Sequence, residues 1–329
     1  MLHEDAGPEI LRGIKVLRKR IEQEEIPPSK LDETLNVASW NIREFGKMRH
    51  KRWRSEAAVH YIAEIINQFD LVAIVELRDD LHDLYRVMDI LGPYWHAVFS
   101  DFNTDRAGNR ERIGYLYDKR AVAFTGLAAE ADPPRKKDPA TGEYVSLIEW
   151  WRSPFMASFR AGTFDFILIT AHVRWGGDDE AARVEPLTKL AEWIRDRRKE
   201  KAIIDKDIIL MGDFNIPEYD DACFEAITKH GLKIPAVLRG MKHGTNLRRD
   251  KRYDQILYDP QYTKSFTGVG GALDFFRNNW RELFPKADFP DMASNSYDFT
   301  YELSDHLPLW VQLDTWTDDE EIDQKLRMT

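Results

Sequence analysis

The chain has 329 residues, and 47 lysines and arginines against 57 aspartates and glutamates leave a net charge of −10 with histidine neutral. A hydrophobic content of 43% with 12% aromatics excludes global disorder, and the longest apolar runs, such as Phe166–Ile169 and Leu71–Val75, fall far short of the roughly 20 residues of a membrane span. The acidic balance also excludes a sequence-blind coat on nucleic acid, which needs a strongly basic surface, but it allows an enzyme that gathers its cations in one groove.

The start, Met1–Glu25, mixes charges throughout and has no apolar core of a secretory signal. The single Cys223 forbids an intramolecular disulfide and fits a reducing compartment. A cytoplasmic location is expected, with no membrane contact and no obligate protein partner to infer. Leu11, Ile14, Leu17 and Ile21 recur at helical spacing and predict an amphipathic helix over 9–24. Pro27 and Pro28 end it, and a linker to Glu33 completes an N-terminal segment, 1–33. The main domain is expected over 34–316. It opens with a strand from Leu35 to Asn41, followed by a helix capped by Ser55 that carries Ala58, Tyr61, Ile62, Ile65 and Ile66 on one face. Leu71–Leu77 reads as a buried strand.

Further strands are expected at Ile113–Tyr117, Ala121–Phe124, Phe155–Arg160, Phe164–His172, Asp207–Asp213, Gln255–Tyr258 and Leu307–Leu313, with a polar loop over 130–143. A helix should cover 180–199, where Pro186 either kinks it or opens its main part. Residues 272–298, with Trp280, Phe284 and Phe289, read as an insertion with its own small core, and 317–329 as an acidic, frayed tail. Many short strands with interspersed helices predict an α/β (α+β) fold of two packed, mainly antiparallel sheets flanked by helices. The basic runs Lys47–Arg54, Arg195–Lys201 and Arg248–Arg252 are in the first instance solvated faces.

Polar residues of catalytic type stand where these strands end: Asn41, Glu76, His172, Asp213 and the pair Asp305-His306. Strand ends are rigid and can hold several side chains around one point. Asp213 and Asn215, two residues apart, offer a carboxylate and a carboxamide for a hard cation, a water or a phosphate oxygen. His306 beside Asp305 offers an acid or base next to a metal ligand. Each feature alone has a plain structural explanation: an Asx-type turn at 213–215, satisfied strand histidines, a turn asparagine at 41, half of an ion pair at Glu76. All of those explanations must hold at once.

Their order along the chain, Asn, Glu, His, Asp-x-Asn, Tyr-Asp and Ser-Asp-His, resembles the endonuclease/exonuclease/phosphatase superfamily, and within it the deoxyribonuclease I family. The resemblance spans Leu35–Asp314 and is densest in Asn41-Ile42-Arg43-Glu44-Phe45-Gly46 and Glu76-Leu77-Arg78-Asp79. It implies a four-layer α/β/β/α sandwich and a Mg²⁺- or Mn²⁺-dependent endonuclease that hydrolyses DNA. By that resemblance Asn41, Glu76 and Asp305 hold the metal, and Arg43, Arg78 and Arg152 contact substrate phosphates. His172 with Glu111 and His306 with Asp254 supply base and acid, and Asp213 and Asn215 complete the catalytic set. Departures are Asn109 in place of the family's tyrosine, and the absence of the disulfides and calcium sites of the secreted enzymes. The alternative is a phosphatase or phosphodiesterase for a small or lipid phosphate ester, which Tyr253-Asp254-Gln255-Ile256-Leu257 loosely resembles. A non-catalytic interaction domain is the third reading, disfavoured because no expected acid, base or metal ligand is missing.

Overall fold

The computed structural model describes residues 3–102, 109–148, 150–175, 181–277, 279–290 and 296–317. In chain order the strands are β1 (Thr34–Phe45), β2 (Leu71–Arg78), β3 (Trp95–Phe99), β4 (Glu111–Asp118), β5 (Ala123–Glu130), β6 (Arg135–Lys137), β7 (Tyr144–Ser146), β8 (Phe155–Ala161), β9 (Phe164–His172), β10 (Ile208–Asp213), β11 (Asp254–Tyr258), β12 (Phe266–Ala272) and β13 (Leu309–Asp314). The helices are α1 (Pro8–Glu22), α2 (Glu56–Ile66), α3 (His82–Leu91), α4 (Ala181–Arg197), α5 (Ala222–Thr228), α6 (Ala236–Arg239) and α7 (Ser296–Glu302).

Two sheets face each other, a six-stranded one in the order β12-β13-β1-β2-β4-β3 and a five-stranded one in the order β11-β10-β9-β8-β5. Pairing is antiparallel except for one parallel pair in each sheet, β1 with β2 and β9 with β10. Val37, Ala73 and Val75 from the first sheet meet Phe166, Leu168 and Leu210 from the second in one core, as expected when alternate residues of two sheets interdigitate. Helix α4 covers the outer face of the second sheet through Leu187, Leu190 and Ile194, and α1 to α3 cover the outer face of the first. The four-layer sandwich expected from the sequence is the fold observed.

Local chemistry explains the helix starts. Ser55 caps α2, its hydroxyl accepting from the Ala58 amide at 3.2 Å, and Asp221 caps α5 from the Cys223 amide at 2.6 Å. The helix expected over 180–199 is observed as Ala181–Arg197 with Pro186 inside it. Several expectations are corrected. The polar loop at 130–143 contains β6, which pairs with β7 in an exposed hairpin; its strands bury nothing, so they carry no hydrophobic period to read. Residues 82–99 and 266–272 also hold elements that the sequence reading omits. In α1 the buried stripe is Ile10, Ile14, Leu17 and Ile21, whereas Leu11 is 43% exposed.

The aromatics of 272–298 do not form a separate core. Phe275, Phe276, Trp280, Phe284 and Phe299 join Tyr61, Trp40 and the α1 stripe in one cluster. Residues 291–295, and the tail from 318, lie outside the described residues, while the Thr317 amide donates to the Thr163 hydroxyl at 2.8 Å. The α1 stripe therefore packs on the body of the protein. Arg20, buried at 5% exposure, fastens it, donating to the carbonyls of Phe275 and Phe276 at 2.8 and 2.9 Å and pairing with Glu282 at 2.7 Å. Arg20→Met should keep the stem and strand both carbonyls, at a cost on the order of 1–3 kcal/mol for each buried group left unpaired. Urea unfolding should show a lower midpoint at unchanged slope; an unchanged midpoint would refute the assignment.

Candidate active site

The two parallel pairs aim their carboxyl ends at one another, and the polar residues of the sequence reading collect there. In the first sheet Asn41 stands opposite Val75, one residue before Glu76. In the second, Asp213 stands opposite His172 on β9 and opposite Asp254 on β11. Irregular pairing between 41 and 45 in β1 and between 74 and 77 in β2 breaks the ladder there, with Glu76 at φ +60°. Such a bulge re-aims a side chain, and a non-glycine residue with positive φ is an outlier associated with functional sites. Gly212, at φ +136°, lets β10 lie against β9, since a Cβ there would meet the Ala171 carbonyl oxygen at 2.0 Å.

At the centre is one oxygen. Oδ2 of Asp213 accepts from Asn41 Nδ2 at 3.0 Å and lies 3.8 Å from Nε2 of both His172 and His306. Each imidazole is held from behind by a carboxylate, His172 Nδ1 at 2.9 Å from Glu111 and His306 Nδ1 at 2.8 Å from Asp254. These contacts fix each ring with Nε2 towards the cleft. Asn41 Nδ2 also donates to Glu76 Oε1 at 3.0 Å, and the Glu44 amide donates to Glu76 Oε2 at 2.9 Å. The Ser304 hydroxyl donates to the Asn41 carbonyl at 2.6 Å and accepts from the His306 amide at 3.0 Å, joining β1 to the His306 loop. The cleft encloses about 560 Å³.

Burial and charge act together on the titrating groups. Burial alone would lower His306, but the carboxylates of Asp254 and Asp213 outweigh it and hold the imidazole well above its ordinary value. For His172 the same contest, burial against Glu111, also ends with the imidazole raised. Burial raises Glu111, yet the His172 and Arg152 charges bring it down to about 2. Asp213 goes the other way: burial pushes it up to about 6, against the pull of His306 and with the push of Asp254.

The arginines divide. Arg152 lines the cleft with its Nε 2.7 Å from Glu111 Oε2. Arg43 also lines it, lying over the Tyr301 ring at 4.0 Å and 3.5 Å from Asp305. Arg78 does not stand in the cleft lining. It is 7% exposed, set behind Glu111 at 3.8 Å and Glu44 at 4.0 Å, and does not face the cleft as the phosphate contact implied by the resemblance would. The irregularity at Glu76 breaks the two-residue alternation that would otherwise put Arg78 on the same face as Glu76. Asn215, at φ +52°, turns its side chain back to the Val173 carbonyl at 2.8 Å while its amide donates to Asp213 at 2.9 Å. It thus makes an Asx-type contact and lines the cleft as well.

Five lining residues stand outside the expected site set: Glu44, Asn109, which donates to Glu111 at 2.7 Å, Arg174, Trp175 and Tyr301. Arg174 and Trp175 directly follow the His172-Val173 strand end, a signal that was available. Tyr301 reaches the cleft only through tertiary packing. For a metal, Asn41 Oδ1 and Asp254 Oδ1 are buried oxygens without a hydrogen-bond partner, a donor chemistry that suits a hard divalent cation. One ligand atom each from Asp213, Asp254 and His306 lies within 4.8 Å of the others, but His306 already gives Nδ1 to Asp254. The oxygens of Asn41 and Glu76 fit such a cation without dismantling an imidazole–carboxylate pair.

The profile of the Endonuclease/Exonuclease/phosphatase family matches residues 38–306. The chain belongs to the endonuclease/exonuclease/phosphatase family. Members of this family are metal-dependent hydrolases of phosphoester bonds, and this chain has the family's two-sheet sandwich flanked by helices. A functionally unknown conserved protein from Enterococcus faecalis is similar at 16% identity and a TM-score of 0.55, over 85% of this chain and 99% of that one. The Bacteroides thetaiotaomicron mannosyl-6-phosphatase is similar at 17% identity and a TM-score of 0.52, over 85% and 99%. The human Nocturnin catalytic domain is similar at 13% identity and a TM-score of 0.53, over 86% and 95%. No curated protein matches the sequence. Among the described residues, no helix is long and apolar enough to cross a membrane.

Proposed function

We propose that this family member is a Mg²⁺- or Mn²⁺-dependent endonuclease that hydrolyses DNA phosphodiester bonds by in-line attack of water. The observation that carries the reading is the pair of imidazoles facing one carboxylate oxygen, in an open cleft lined by several cations. Arg43 stands beside Asp305, Arg152 beside Glu111, and Arg174 also lines the cleft. A polyanion offers these arginines phosphates beyond the scissile one, whereas a small ester leaves some of them idle.

Asp213, poised near 6, suits the base that takes the proton from the attacking water. The imidazoles, held protonated by Glu111 and Asp254, suit the opposite task. They neutralise the phosphate oxygens, and one of them returns a proton to the leaving oxygen as its bond to phosphorus breaks. Asn41, Glu76 and Asp305 would hold the divalent cation, which stabilises negative charge on the phosphate when bound. Asn215 orients Asp213 through its amide. Arg78 positions Glu111 rather than touching substrate.

Supercoiled plasmid DNA and 4-nitrophenyl phosphate, each with Mg²⁺, Mn²⁺ or EDTA, test the reading. Plasmid nicking should depend on either metal and stop in EDTA. Intact plasmid beside rapid turnover of the monoester would favour a small-ester phosphatase, and full activity in excess EDTA would refute metal dependence.

A further inference from the structure

Beside the active cleft runs a second groove of about 510 Å³, which shares Glu44 and Tyr301 with it as common walls. One side is built from Lys47, Arg49, His50 and Arg52–Ser55, the other from 288–290 and α7. The first side carries the basic run singled out in the sequence. Lys47, Arg49, Lys51, Arg52 and Arg54 fall within eight residues without an acid among them, in a chain of net charge −10.

Ion pairing decides which charges are left for a ligand. On the acidic side every carboxylate has a partner: Asp298 with Arg49 at 2.5 Å, Asp288 with Arg12 at 2.9 Å, Glu302 with the Ser55 amide and hydroxyl at 3.0 and 2.7 Å, and Glu44 with Lys47. Arg54 is buried against Asp83 at 3.4 Å. Lys51 and Arg52 are exposed and make no ion pair among the described residues. They sit on a tight turn closed by reciprocal 2.9 Å bonds between Arg49 and Arg52, with His50 at φ +50° and Lys51 at φ +63°. Two successive left-handed residues are the geometry that asparagine and glycine usually fill. Here a histidine and a lysine occupy it; His50 and Arg52 line the groove, and the exposed Lys51 stands on the turn between them.

Aromatic faces accompany the charge. Trp53 lines the groove with its ring 4.5 Å from His82, and Phe289 lies opposite. Tyr297, 53% exposed, stands by the shared wall, where Arg49 lies over the Tyr301 ring at 4.1 Å. Cations that follow a backbone, together with ring faces, are the chemistry of single-strand nucleic-acid binding.

We infer that this groove is a binding subsite for single-stranded polynucleotide continuing from the scissile phosphate, with Lys51 and Arg52 on its phosphates and the aromatic faces for its bases. The inference rests on the nuclease reading above and adds to it a strand preference and a location. Affinity of the full chain for a single-stranded oligonucleotide of about a dozen nucleotides, measured by anisotropy in EDTA across a salt series, tests it against the double variant K51Q/R52Q. The variant should bind several-fold more weakly, with a log–log salt slope flatter by about 1.4, two phosphate contacts' worth for a single strand. Its hydrolysis of bis(4-nitrophenyl) phosphate with Mn²⁺ should equal that of the wild type, since neither residue touches the catalytic residues. Unchanged affinity and slope, in a wild type that cleaves DNA, overturn the subsite alone. A wild type that turns over the small diester but neither binds nor cleaves polynucleotide overturns the nuclease reading, and the subsite with it.

Discussion

His306→Ala should lower turnover of plasmid DNA by about 10²–10⁴-fold, the usual worth of a positioned proton donor. The ring sits 2.8 Å from Asp254 and 3.8 Å from Asp213, so its removal takes a positive charge from between two buried carboxylates. His172→Ala should act in the same range through the mirrored contact with Glu111. The double variant should lose less than the product of the two, because in the proposed mechanism both imidazoles serve one displacement. The measurement is single-turnover cleavage at saturating enzyme. A rate within threefold of wild type in either single variant would remove that imidazole from the chemistry.

Asp213→Asn should be more stable than the wild type and nearly inactive. In the metal-free protein, burial lifts the folded carboxyl from its ordinary 3.8 to about 6. The native state therefore binds more protons than the unfolded one between those values, so stability falls as pH rises through that window. Above about 6 the full cost of a buried, ionised carboxylate is present, and asparagine removes it. The Tm of Asp213→Asn in EDTA should exceed that of wild type at pH 7, and the gap should close towards pH 4 as the wild-type carboxyl regains its proton. Turnover should fall on the order of 10²-fold or more, since the amide cannot take a proton from water. A lower Tm at pH 7 would show that burial of this charge is already compensated. Gain in stability with loss of activity is the expected signature of a buried carboxylate kept for function rather than for stability.

What was legible in the sequence follows from what burial writes into it. β1, β2, β9 and β10 are buried along almost their whole length, so their apolar runs and the polar residue ending each run were readable. The edge strand β12 is half-exposed, with glycine at 268, 270 and 271, and leaves little pattern. The arginines were the hardest to place. Arg43 and Arg78 follow Asn41 and Glu76 by the same two-residue step, yet one lines the cleft and the other is buried. The difference is made by a left-handed residue at 76 that no local propensity announces. The mirrored His–carboxylate pairs were expected by family resemblance; that both face a single Asp213 oxygen emerged only from the meeting of the two parallel pairs.

The tie from Arg20 to Phe275 and Phe276 spans more than 250 residues of chain. During synthesis from the N-terminus α1 is among the first elements to leave the ribosome, while the segment that Arg20 grips is among the last. Early on, α2 covers part of the helix, as the docking of α1 on α2 around Tyr61 in the finished fold implies. The Arg20 guanidinium must wait in water until the carbonyls of Phe275 and Phe276 arrive. The wall formed by 288–290 is therefore made after every strand of the five-stranded sheet, and closing so long a loop is slow. A ribosome-bound chain stalled before residue 275 would carry the strand ends from Asn41 to Asp254 but lack both His306 and the groove's far side. Hydrolytic activity would then appear only near the end of translation, once the last catalytic strand end has joined the others.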